Sequence, residues 1–290
     1  MEDEILEFNH CVIGARGLLG QSVYSALKVT YPNRRISVVK SEALLENLGV
    51  ALGFVNRKTI FYWCAGRAKA SSSKEDCERD LILFALFVER ITELNDEATI
   101  VFLSSGGTVY GKSPGLVNEL SPLNPFSHYS EMKILCEGIL QKHNSKALKG
   151  LVIRLANVYG AIDSEKASGL VDRILTKRRF NLLVDPASRK QYGHCRDYGG
   201  NIVRISQNFA RFDSIYETRN LFPNFEYSIS EIVQVVTEVT GQPIFMDLGV
   251  RSESLELETV TLATNPALTP LEMDWIDLPY YISEFFSTKE

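Results

Sequence analysis

Tyr129 and Lys133 stand four residues apart in Tyr129-Ser130-Glu131-Met132-Lys133. On a helix that spacing sets both side chains on one face, a turn apart. An ammonium beside a phenol favours the phenolate. The pair therefore has a possible chemistry: the tyrosine exchanges a proton with a hydroxyl or ketone while hydride passes to or from a nicotinamide. A surface i,i+4 pair without any chemistry has the same spacing. What sets this pair apart is its place, downstream of an apolar strand that ends in Ser104-Ser105.

A second constellation is Gly14-Ala15-Arg16-Gly17-Leu18-Leu19-Gly20, which fits G-x-x-G-x-x-G between an apolar strand and the start of a helix. The first glycine permits a sharp turn and the second lets a pyrophosphate approach the backbone. The third lets helix and strand pack closely, and the helix N-terminus favours the phosphate charge. The motif predicts dinucleotide binding. NAD sites usually carry Asp or Glu at the end of the second strand to hold the ribose 2′-hydroxyl. Here that strand ends in Val39-Lys40-Ser41. Arg16 and Lys40 together would neutralise a 2′-phosphate, which favours NADP(H) over NAD. The alternative is that both are solvated surface charges.

The elements that must position these residues follow from periodicity. Short apolar runs at Cys11-Val12-Ile13, 36–39, 60–64, 99–103 and 151–155 read as strands. Amphipathic segments at 18–30, near 76–94 and near 128–143 read as helices. Apolar strands separated by helices are the mark of a parallel sheet covered on both faces. After about residue 160 the alternation breaks down, although 229–240 keeps a helical pattern. The fold expected is α/β: a Rossmann-type doubly wound parallel sheet with a smaller mixed α/β C-terminal substrate-binding cap. The cofactor domain is placed at 1–160 with a returning segment near 191–222, and the cap near 161–190 and 223–290.

Composition narrows the class. The chain has 290 residues, 45% hydrophobic and 23% charged, with a net charge of −5. That charge argues against a nucleic-acid partner, which needs a dense basic surface. The short run Lys177-Arg178-Arg179 reads as a solvated helix end. The five cysteines include no CxxC pair, and the four histidines show no HExxH or other ligand spacing, so no metal site is expected. No apolar run approaches a membrane span, and the acidic start lacks the features of a signal peptide. A soluble cytoplasmic protein is expected.

Taken together, these residues resemble the extended short-chain dehydrogenase/reductase family, also called the NAD-dependent epimerase/dehydratase family. The likeness rests on the glycine turn, on Trp63-Cys64-Ala65-Gly66, and on Leu103-Ser104-Ser105-Gly106-Gly107-Thr108-Val109-Tyr110-Gly111. It continues through Glu119-Leu120-Ser121-Pro122-Leu123-Asn124-Pro125, Tyr129 with Lys133, and Arg154-Leu155-Ala156-Asn157-Val158-Tyr159-Gly160. The resemblance implies that Tyr129 is the general acid/base and that Lys133 holds the nicotinamide ribose. It also implies a cofactor held by Gly14, Arg16, Gly17, Leu18, Leu19, Gly20, Lys40, Ala65, Gly66 and Ser104. Asn157, Lys190 and Arg251 would bind the diphosphate of a nucleoside-diphosphate sugar, and His194-Cys195-Arg196-Asp197 resembles an H-V-D-D segment. The helices near 76–94 and 128–143 imply a homodimer joined by a four-helix bundle.

Three positions depart from the family pattern. The usual catalytic Ser or Thr falls on Gly106, which leaves Ser105 or Thr108 to supply the hydroxyl. Asp80 stands where asparagine is more usual, and the second strand lacks its carboxylate. The function implied is hydride transfer at a ring carbon, C4 by preference, of a nucleoside-diphosphate sugar. It is carried out by an epimerase that keeps its NAD or by a ketoreductase that uses NADPH. The T-D-E expected of a dehydratase is replaced by Gly106, Gly107 and Thr108. The alternative class is a dinucleotide-binding sensor of the same fold that has lost catalysis.

Overall fold

The computed structural model describes residues 8–40, 58–94, 97–111, 115–160, 169–182, 185–249, 260–268 and 271–287. Arg251 lies outside them. The chain runs β1 (Asn9–Ile13), α1 (Leu18–Thr30), β2 (Ser37–Val39), β3 (Thr59–Trp63), α2 (Lys74–Leu94), β4 (Ala98–Ser105), α3 (Gly106–Val109) and β5 (Gly115–Val117). It continues with α4 (His128–His143), β6 (Leu148–Leu155), β7 (Asn157–Tyr159), α5 (Leu170–Thr176), β8 (Arg179–Leu182), β9 (Arg189–Lys190) and β10 (Tyr192–His194). The last elements are α6 (Cys195–Arg211), β11 (Tyr216–Leu221), β12 (Tyr227–Ser228), α7 (Ile229–Thr240), β13 (Phe245–Leu248), β14 (Val260–Leu262) and α8 (Leu278–Ser287).

Strand alternation builds the sheet's two cores. Cys11, Ile13, Phe61, Trp63, Ile100 and Phe102 turn to one face, where Phe84, Phe87 and Val88 of α2 and Met132 and Cys136 of α4 cover them. Val12, Ile60, Tyr62, Val101, Leu151 and Ile153 turn to the other, against Val23 and Leu27 of α1 and Tyr198 and Ile202 of α6. Both faces being apolar, the strands read as continuous hydrophobic runs.

Six strands pair in the order β11-β6-β4-β3-β1-β2, all parallel. The order reverses at β1: β2 lies on one side of it, and β3 and the rest on the other. Ligands of open α/β sheets bind outside the carboxyl ends of the strands at such a switch point. Here those ends are Ile13 and Trp63, directly paired in the register.

A third core gathers Tyr159, Val171, Ile174, Phe180, Tyr192, Ile229, Ile232 and Tyr281 over the same end of the sheet. Capping boxes start α4 (Ser127 with Ser130) and α7 (Ser228 with Glu231), and Gly241 at φ +64° ends α7. Among the described residues no helix is long and apolar enough to cross a membrane, and no group of three or more His, Cys, Asp or Glu could hold a metal ion.

Candidate active site

The glycine turn sits in the switch-point crevice, and each glycine has its own geometry. Gly14 has φ +83°, and a Cβ there would lie 2.7 Å from the Ala65 backbone at the end of β3. A Cβ on Gly20 would lie 2.3 Å from the Gly14 carbonyl oxygen, so α1 packs on the turn only because that atom is missing. A Cβ on Gly17 would meet only the Gly14 and Cys64 oxygens, at 3.6 and 4.0 Å. Gly17 is also the N-cap of α1, which has no side-chain cap and no acid in its first turn. The turn is thus closed on its protein side and open at a helix N-terminus, the arrangement that suits a phosphate.

Beside the turn lies a cavity of about 220 Å³, whose wall includes Leu19, Ala65, Gly66, Ser105, Tyr129 and Lys133. It adjoins a cleft of about 1330 Å³ lined by Arg16, Gly17, Leu18, Thr108 and Asn157 among others. Gly66, Ser105 and Tyr129 line both spaces. The expected site residues are therefore gathered in one place, with two exceptions among the described residues. Lys40 follows β2, is exposed and is not on the wall of the cleft that Arg16 lines. Lys190 lies on β9 and lines a separate cavity of about 310 Å³, which shares Asn157 and Val158 with the cleft.

Helix α4 presents Tyr129 and Lys133 on one face, as the spacing predicts. Lys133 Nζ donates to the Leu103 carbonyl at 2.9 Å and sits 5.5 Å from the centre of the Tyr129 ring. One turn further on, Glu137 is 4% exposed and pairs with Arg154 of β6, itself 5% exposed. Arg154 Nη2 donates to Glu137 Oε2 at 2.7 Å, and Ser104 Oγ donates to Glu137 Oε1 at 2.6 Å. Arg154 Nη1 donates to the Tyr110 hydroxyl at 2.8 Å, which donates on to Asn220 Oδ1 at 2.7 Å. Burial works against the Arg154 charge, but the hydrogen bonds and charge of Glu137 outweigh it and hold the guanidinium above its ordinary pKa. This network fixes α4 to β4 and β6 beneath the tyrosine. The sequence reading missed Glu137, although its spacing from Lys133 repeats that of Lys133 from Tyr129. Ser104, expected at the cofactor, lines the inner cavity but donates its hydroxyl hydrogen to Glu137.

The departures have structural counterparts. A Cβ on Gly106 would lie 2.5 Å from Leu262 Cδ1. The Leu262 backbone is held by buried Gln191, which accepts from its N–H at 2.9 Å and donates to its carbonyl at 3.1 Å. A leucine therefore fills the place where the usual hydroxyl side chain would begin. Ser105 is the N-cap of α3 without a side-chain capping bond, and Thr108 Oγ1 donates to the Ser105 carbonyl at 3.4 Å. Asp80 Oδ2 accepts from the Arg67 and Ala68 amides at 2.7 and 2.8 Å, which pins the loop after β3. His194 stacks on Tyr281 at 3.8 Å and accepts from Arg196 N at 3.2 Å, while Asp197 accepts from the Tyr281 hydroxyl at 2.6 Å. That segment ties α6 to α8.

The fold, with its cleft at the switch point, defines a Rossmann-type α/β protein. Residues 10–217 match the model of the NAD dependent epimerase/dehydratase family, and the chain belongs to that family. Among curated proteins it is similar to the dTDP-4-dehydro-6-deoxyglucose reductase of Escherichia coli, 28% identical over 52% of this chain and 49% of that protein. A further curated relative is matched over 47% of its length, so the chain spans about half of each. Among solved structures it resembles MoeE5 in complex with UDP-glucuronic acid and NAD, with a TM-score of 0.82 at 17% identity over 97% of this chain and 100% of that one. It also resembles a UDP-galactose 4-epimerase, with a TM-score of 0.75 at 18% identity over 97% and 99%. At these identities the structures speak for the fold.

Proposed function

We propose that this chain is an NAD(P)-dependent enzyme that transfers hydride at a ring carbon, C4 by preference, of a nucleoside-diphosphate sugar, as an epimerase or a 4-ketoreductase. The observation that carries the reading is that Tyr129 lines both the cavity beside the glycine turn and the open cleft, with Lys133 behind it. A dinucleotide fits the site: Gly17 leaves the helix N-terminus open, and the missing side chain at Gly14 lets the turn lie against the Ala65 backbone. When bound, it supplies the hydride acceptor or donor. Gly17, Leu18 and Leu19 bind its pyrophosphate through the start of α1, with Gly14 and Gly20 shaping the turn and Ala65, Gly66 and Ser104 lining the site. Lys133 would hold the ribose, and Tyr129 would take or return the proton of the sugar oxygen. Ser105 or Thr108 supplies the second hydroxyl in place of Gly106. Asn157, Lys190 and Arg251 hold the diphosphate.

Arg16 at the cleft and Lys40 beyond it favour NADP(H) over NAD in this reading. The cofactor domain comprises 1–160 and about 191–222, and the cap comprises the remainder. A homodimer through α2 and α4 is supported by Ile82, Leu86 and Leu135, which are 58%, 49% and 54% exposed on those helices. A cytoplasmic enzyme is the setting proposed.

The packing of Leu262 on Gly106 favours a second reading, a dinucleotide-binding sensor without turnover. Conversion of a panel of UDP, dTDP and GDP sugars, assayed with NAD and NADPH, separates the two. Turnover of any member supports the enzyme. Tight cofactor binding with every sugar inert supports the sensor.

A further inference from the structure

The inner cavity beside the glycine turn holds a charge balance that the motifs do not account for. Asp80 of α2 and Lys133 of α4 are the two charged side chains on its wall among the described residues, and both are half-buried. Much of the rest is apolar, including Leu19, Trp63, Phe102 and Leu155. Glu137, one turn below Lys133, is taken up by buried Arg154 and does not line the cavity. Burial chiefly pushes the Cys136 thiol on that wall up to about 12, while Lys133 lowers it and Asp80 raises it. The two charges therefore act on the same space with opposite sign.

Asp80 also has a structural task. The Arg67 and Ala68 amides donate to it at 2.7 and 2.8 Å, and a Cβ on Gly66 would stand 3.1 Å from the same atom, Oδ2. One oxygen thus serves the loop, and the amide oxygen of an asparagine in its place would accept both bonds. Holding the loop does not call for a carboxylate, so the negative charge is left to act on what the cavity binds. Against a largely apolar wall a fixed charge is felt more strongly than in water. On the proposed function, the nicotinamide of the dinucleotide lies in this cavity beside Tyr129. Its ring is a cation when oxidised and neutral when reduced, and charge beside it tunes that balance. Lys133 opposes the cation, and Asp80 offsets Lys133.

We infer that Asp80 is a specificity-determining residue for the oxidation state of the cofactor: its carboxylate lets a cavity that already contains the Lys133 ammonium accept the oxidised, cationic nicotinamide. The inference rests on the proposed function. Its test is calorimetric titration of the full chain, emptied of bound nucleotide, with NAD, NADH, NADP and NADPH. The quantity read is the ratio of oxidised to reduced affinity in the couple that binds best. Asp80→Asn is expected to lower that ratio about 3- to 10-fold, the effect of one partly screened charge, through weaker binding of the oxidised form. Lys133→Met should raise the ratio, and it carries the test if Asp80→Asn binds neither form. A ratio in Asp80→Asn within about twofold of the wild type, whether both affinities hold or both fall, would overturn the inference alone. So would an unraised ratio in Lys133→Met where that variant carries the test. A wild-type chain that binds none of the four dinucleotides would overturn the proposed function, and this inference with it.

Discussion

At the residue scale, the proposed chemistry rests on one ionisable hydroxyl. Tyr129→Phe keeps the ring between cavity and cleft and removes only the proton carrier. Turnover should fall by about 10²- to 10⁴-fold, the usual contribution of a positioned acid/base, while NAD(P)H affinity stays within a few-fold. Steady-state rates beside a fluorescence titration check this, and an unimpaired rate would remove Tyr129 from the mechanism. The tyrosine, the lysine and the glycine turn were legible in the sequence because their signals are local: a four-residue spacing and three glycines. Glu137 and Leu262 carry no such local signal. Their significance depends on what faces them, Arg154 and Gly106, and neither is a sequence neighbour.

At the scale of elements, the strand–turn–helix at the switch point makes a paired prediction. Gly20→Ala would drive a Cβ to 2.3 Å from a backbone oxygen, so α1 must shift off the turn. That variant should lose thermal stability and cofactor binding together. Gly17→Ala meets only ordinary contacts inside the protein. It should keep the wild-type melting temperature and lose cofactor affinity, because its methyl group would occupy the space assigned to the pyrophosphate. Calorimetric melting with an NAD(P)H titration separates the two, and a Gly17→Ala variant with unchanged affinity would mean that the pyrophosphate lies elsewhere. Periodicity placed α1, α4 and α7 at 18–30, 128–143 and 229–240, where the structure has them. Strands were less well bounded: the one expected at 60–64 runs from Thr59 to Trp63, and the one expected at 151–155 begins at Leu148. Apolar runs mark where a strand is buried, whereas its ends depend on pairing. The short strands after 160 were not resolved in the sequence, since two- and three-residue pairings carry no periodicity.

At the scale of the whole molecule, two histidines, buried His10 and half-buried His194, set an acid limit. Burial chiefly, and Arg34 nearby, lower His10 to about 4; burial chiefly, and Arg196, lower His194 to about 4. Both are neutral in the folded chain, whereas the unfolded chain protonates them below the ordinary value of about 6.5. Their contribution is complete above that value and is lost as pH falls through 6.5 towards 4. For His10 alone the loss reaches about 3 kcal/mol at the lower end. Urea midpoints at pH 7.5 and pH 4.5 should differ in that sense, and less so in His10→Phe; equal wild-type midpoints would count against it. The exposed Ile82, Leu86 and Leu135 predict a dimer in solution that Leu86→Asp with Leu135→Asp separates into monomers, read by light scattering on a sizing column. A wild-type monomer would remove the four-helix bundle.

The most direct test of the central claim is to release and identify any bound nucleotide, then titrate the emptied protein with NADH and NADPH. Saturable binding at one site is expected, stronger for NADPH; retained NAD would instead favour the redox-neutral epimerase and set aside the roles given to Arg16 and Lys40. Binding of neither nucleotide would overturn the proposed function, leaving a family fold without its chemistry.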